Sequence, residues 1–165
     1  MVDAKKPEWL HVDQQEIVHA VRTAIAAVAS LLIARLFRLP EAYWASIATL
    51  IVMQSTLGAA WTVSKDRLAG TALGATAGAV LATYTGSNVA AFGVGLFAVG
   101  VLCTILPITR AAYRYAGITL VIVMLTARTQ PSWIVALHRF VEISVGIAVG
   151  LILTAVWPEP QQAAA

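Results

Sequence analysis

The sequence predicts an all-α membrane protein whose six transmembrane helices form two inverted three-helix repeats. Three observations lead to that fold. Of 165 residues, 59% are hydrophobic and 12% charged, and the mean hydropathy is +0.81; a soluble domain carries about 25% charged residues. Apolar runs recur at close to the roughly 20 residues that cross about 30 Å of hydrocarbon. Rare residue types also return at an offset of 72 along the chain.

Taken in order, the runs give spans over 17–38, 43–60, 63–84, 88–107, 111–128 and 133–157. The breaks fall at Pro40–Glu41, Trp61–Lys65, Gly86–Ser87, Pro107–Arg110 and Thr129–Ser132, where prolines, glycines and polar or basic residues punctuate the chain. Residues 1–16 read as a polar cytoplasmic juxtamembrane segment without the apolar stretch of a cleavable signal. Within it, Asp13-Gln14-Gln15-Glu16 has the form of an N-cap with a carboxylate reaching back, which opens the first helix. Residues 17–158 make the transmembrane domain, with repeats over 17–84 and 88–157, and 159–165 a cytoplasmic tail. Trp44, Trp61, Trp133 and Trp157 stand at span ends, the headgroup depth that amphipathic rings prefer. Lys5, Lys6, Arg22, Lys65, Arg67, Arg110 and Arg114 lie on the side of both termini, against Arg35, Arg38, Arg128 and Arg139 on the other. That bias predicts a multi-pass inner-membrane protein with both termini cytoplasmic.

Several function classes lose support at this level. A net charge of +3 is too small and too dispersed for a phosphate-binding stripe, so no nucleic-acid partner is expected. A lone cysteine, Cys103, excludes an intramolecular disulfide framework and a multi-thiolate metal site. His11, His19 and His138 do not share a metal-ligand spacing. No nucleophile elbow, phosphate-cradling loop or catalytic carboxylate pair is visible, so neither a cofactor nor enzymatic turnover is expected.

The 72-residue offset aligns Arg38 with Arg110, Tyr43 with Tyr115, Trp61 with Trp133, Arg67 with Arg139, Gly74 with Gly146 and Gly78 with Gly150. Three helices per repeat send the second copy into the membrane from the opposite face. That is the plan of many secondary transporters, with a site near the midplane at the repeat interface. Interrupted helices at matching places then point to the site. Helix 2 turns polar at Gln54-Ser55-Thr56 and helix 5 at Thr126-Ala127-Arg128-Thr129-Gln130. Both read either as half-helices unwinding beside a water-filled path or as ordinary ends among headgroups.

Gly70, Gly74 and Gly78, with Gly146 and Gly150, form stripes at spacing four that let helix backbones approach closely. Arg67 and Arg139 are the chemically informative cations. An arginine at a helix centre costs about 2.5–3.5 kcal/mol on insertion scales, so it faces the protein interior or a pore by default. Its planar fork suits a carboxylate. For Arg67 the competing reading is snorkelling beside Lys65 and Asp66. For Arg139 it is a pair with Glu142, three residues on. His138 and Glu142, four apart, are candidates for proton coupling. Arg22, about one turn inside helix 1, reads as snorkelling or functional.

The run Tyr43-Trp44-Ala-Ser-Ile-Ala-Thr-Leu-Ile-Val-Met-Gln54, then Gly58, then Arg67-Leu-Ala-Gly70-Thr71-Ala-Leu-Gly74-Ala-Thr-Ala-Gly78, resembles the fusaric acid resistance (FUSC) family. Arg139-Phe-Val-Glu142, Gly146, Gly150 and Trp157-Pro158 are similar to that family's last helix. The resemblance covers most of 17–158 and implies export of aromatic carboxylic acids; plant malate channels look like distant relatives. Arg67, Thr71, Arg139 and Glu142 match its motifs. Many members carry two six-helix units with soluble domains, so a single unit implies a homodimer. The expected function is an inner-membrane exporter of small organic anions, with Arg67, Thr71, Arg139, Glu142, His138, Gln54 and Arg128 along the pathway. A passive anion channel and a non-transporting membrane scaffold are the alternatives.

Overall fold

The computed structural model describes residues 14–54, 56–106, 108–126 and 130–158. Within them the chain forms six helices: α1 (Gln14–Leu36), α2 (Tyr43–Val52), α3 (Leu57–Thr85), α4 (Val89–Ile105), α5 (Arg110–Leu125) and α6 (Ser132–Val156). Asp13 of the expected N-cap, the tail 159–165 and Arg128 lie outside the described residues. By length and hydropathy α1 and α6 can each cross a membrane alone, while α2 and α4 are apolar but shorter.

One predicted boundary is wrong. The break expected at Trp61–Lys65 lies inside α3; α2 ends instead at Val52 and α3 begins at Leu57. Thr56 explains the early start, because its side-chain oxygen accepts the Ala59 N–H at 3.2 Å and caps the helix. Lys65 stays exposed while its neighbours turn inward, so local polarity does not end the helix. The span drawn over 43–60 shrinks to ten residues, roughly 15 Å of helix, which is half a crossing. Both α2 and α5 stop on an extended residue, Met53 (ψ 109°) and Thr126 (ψ 126°), where their sequences turn polar.

Burial is distributed the opposite way to a water-soluble globule. On α1 the inward stripe is Arg22, Ala26, Ser30 and Ala34, whereas Ile17, Val21, Ile25, Val28 and Leu32 face outward. Large apolar side chains are exposed on every helix and the interior is dominated by alanine, glycine and hydroxyl residues. Water would penalise that exterior and hydrocarbon would not. The chain is a helical membrane protein.

Small residues set the packing. α3 lies on α5 and α6, α6 also on α2, and α1 and α4 pack at the flanks. A Cβ built on Gly74 would sit 2.1 Å from the carbonyl oxygen of Ala116 on α5. The same contact recurs 72 residues on, where a Cβ on Gly146 would sit 2.1 Å from the Ala45 carbonyl oxygen on α2. Gly70 meets Ala112 O in the same way, while Gly78 faces Val123 and Gly150 faces Val52. Thr49 Oγ1 lies 2.9 Å from both Ala45 O and Gly146 O, fastening α2 to α6. Gly74→Ala and Gly146→Ala are each expected to lower stability by about 1–3 kcal/mol or more, because rigid backbone must give way. Gly93→Ala is expected to be neutral or stabilising by up to about 1 kcal/mol, since nothing lies within 4 Å of its added Cβ. Thermal melts of the three variants side by side check both directions.

Candidate functional site

Among the described residues three buried arginines organise the interior, each in a different chemical setting. Arg22, fully buried on α1, does not snorkel. Its Nη1 donates to Trp157 O at 2.7 Å and its Nη2 to Gln54 O at 2.8 Å. Those carbonyls lie just past the C-terminal ends of α6 and α2, where dipoles and unsatisfied oxygens favour a cation. Gln54 thus contributes its backbone to this tie, while its side chain donates to Ile51 O at 3.2 Å.

Arg139, seven residues into α6, is held by two carboxylates. Its Nη1 donates to Glu142 Oε2 at 3.2 Å, and its Nη2 to Glu41 Oε2 from the loop between α1 and α2. Its guanidinium carbon also stands 4.5 Å from the Trp44 ring centroid. Glu41 Oε2 accepts the Tyr43 hydroxyl (2.6 Å) and Trp44 Nε1 (3.1 Å), and the Glu41 N–H donates to Glu142 Oε1 (2.9 Å). Burial pushes the Glu41 carboxyl upward, but the hydrogen bonds from Tyr43 and Arg139, the Arg139 charge and the Trp44 bond outweigh it, so it titrates below its ordinary range. Its stability contribution is therefore present above the ordinary carboxylate range and is lost as pH falls through the lowered value.

Arg67 differs. It is 3% exposed, ten residues into α3, and makes no ion pair with a carboxylate among the described residues. Its guanidinium carbon lies 4.9 Å from the Tyr115 ring centroid on α5, and its Nε, like those of Arg22 and Arg139, has no hydrogen-bond partner. One turn further along α3, Thr71 is 1% exposed and its hydroxyl also lacks a partner. Two orphaned polar groups therefore stand together on one buried helix face. Such groups are costly in a dry interior unless something satisfies them.

Arg67 and Thr71 are thus brought together, as are Arg139 and Glu142. The two clusters stand on different helices with different partners, and Gln54 belongs to the third setting, around Arg22. His138 is half-buried and makes no hydrogen bond to Glu142. Sequence reasoning missed Glu41, Trp44 as a ring beneath a cation, and Tyr115. The signals were present, since Glu41 precedes Tyr43-Trp44 and Tyr115 is the offset partner of Tyr43.

A model of the fusaric acid resistance protein-like family matches residues 25–153, which include all three clusters except Arg22 and Trp157. The chain belongs to that family. Among proteins similar to this member of the family, the inner membrane protein YeeA of Escherichia coli K12 is 28% identical over 147 residues, covering 87% of this chain and 41% of YeeA. The uncharacterized transporter YdhK of Escherichia coli, from strains K12 and O157:H7, is 29% identical over 167 residues, covering 95% of this chain and 25% of YdhK. The chain therefore spans less than half of the first relative and a quarter of the second. No solved structure matches.

Proposed function

We propose that the protein exports small organic anions, aromatic carboxylates foremost, across an inner membrane, with Arg67 and Thr71 as the anion-binding pair. The observation that carries this reading is the buried Arg67 guanidinium, without a carboxylate partner among the described residues, beside the partnerless hydroxyl of Thr71. A substrate carboxylate would supply the missing charge to the guanidinium fork and accept from the threonine hydroxyl. The Tyr115 ring would give an apolar wall beside it.

The matching contacts in the two halves support an inverted-repeat plan. Glycine meets carbonyl in α3–α5 and again in α6–α2, and an arginine stands over an aromatic ring in each pair. At the offset of 72, Glu142 falls on Gly70 and Glu41 on Tyr113. One cation of the pair thus has two carboxylates and its counterpart has neither, which favours Arg67 over Arg139 as the anion contact. The transporter name of one relative and the inner-membrane name of another support the location and the transport role. Cytoplasmic termini and a homodimer complete the proposal.

Counterflow of labelled hydroxybenzoate in proteoliposomes tests it. Uptake above empty vesicles is expected, falling about tenfold or more in Arg67→Ala, because a hydrogen bond to a charged group contributes about 1.5–3 kcal/mol. Uptake no greater than in empty vesicles, or full activity in Arg67→Ala, counts against the proposal.

A further inference from the structure

Glu142 lies ten residues into α6 and is 1% exposed. It shares the single guanidinium of Arg139 with Glu41, so the cluster holds two negative charges against one positive. The charged groups facing Glu142 are Arg139, from its own helix, and Glu41, from the α1–α2 loop. Among the described residues, the other helices packed on α6 place no charged group against it. One negative charge is therefore left over inside the bundle.

Charge balance decides what such a cluster takes up. A metal ion would meet the repulsion of Arg139, and no third acidic, histidine or cysteine ligand joins the two carboxylates among the described residues. A proton neutralises the excess without displacing Arg139. Glu41 is the poorer acceptor, because its Oε2 already receives Tyr43, Trp44 and Arg139. Glu142 receives one bond on each oxygen. The side chain of Glu41 is 38% exposed, so water reaches the cluster from the loop side.

We propose that Glu142 is a proton-binding site, loaded from the side of the molecule where Glu41 meets solvent. The proton adds to a carboxylate oxygen of Glu142 and leaves Arg139 and Glu41 as a balanced ion pair. This role is separate from that of Arg67, and spectroscopy reads the proton whether or not any anion is carried.

Infrared difference spectra of the full chain in nanodiscs, recorded as a pH titration, test the site. Subtracting the Glu142→Gln titration from that of the wild type should isolate one carboxylic-acid C=O band that grows as pH falls. In Glu41→Gln the competing negative charge is gone, so the midpoint of that band should move down by about one pH unit or more. The absence of such a band in the wild type, or a midpoint that stays or rises in Glu41→Gln, overturns the proposal. Should Glu142→Gln fail to fold, the direction of the Glu41→Gln shift decides.

Discussion

Arg67→Met is expected to raise the thermal midpoint of the protein while removing its transport activity. Arg67 is buried without a counter-charge among the described residues, and an uncompensated ion in a protein interior costs several kcal/mol even after relaxation. The contact with the Tyr115 face returns about 0.5–2 kcal/mol of that. Methionine keeps most of the volume and removes the charge, so a net gain of about 1–3 kcal/mol is expected. Melting curves followed by tryptophan fluorescence, without added anion, measure it. A fall of similar size would mean that Arg67 is held by the fold itself, and the anion site would lose its physical basis.

The same substitution at Arg139 is expected to act in the opposite direction. Arg139→Met leaves Glu41 and Glu142 facing each other without a cation, and breaking a buried pair in this way costs about 3–5 kcal/mol. Removing the orphaned charge should recover much of the loss, so Arg139→Met/Glu142→Gln should be more stable than Arg139→Met alone. A double-mutant cycle on these two positions measures the coupling. Independent, additive effects would show that the carboxylates do not depend on Arg139. The opposed signs expected at Arg67 and Arg139 separate two arginines that the sequence presents as equivalents.

That equivalence marks how far the chain could be read before its structure. Helix number, the glycine stripes and most boundaries follow from hydrophobic period and from residues with one strong conformational preference. The boundary before α3 did not, because polarity at Trp61–Lys65 looks like a helix end until the Thr56 cap is seen to start the helix earlier. Arg67 and Arg139 could be singled out as residues too costly to bury without a reason, Glu142 as the spacing partner of Arg139, and Thr71 only as a position matching the family's motif. Their partners could not. Glu41 lies 98 residues from Arg139 in sequence, and no local spacing relates them. Whether a buried cation is neutralised by the fold or left for a ligand is a tertiary property, invisible to any pattern along one helix.

The crossed glycine seams constrain how the molecule can move. The third helix of the first half is clasped by the middle helix of the second, and the last helix of the chain by the middle helix of the first. The halves are interlocked like the fingers of two hands, so swinging one as a rigid block against the other would tear both seams at once. Peripheral α4 takes part in neither seam and can shift at lower cost, whereas α1 is tied to the ends of α2 and α6 through Arg22. An alternating cycle in this architecture would accordingly be a matter of the outer helix α4 sliding on a fixed inner clasp, with little rocking of half against half.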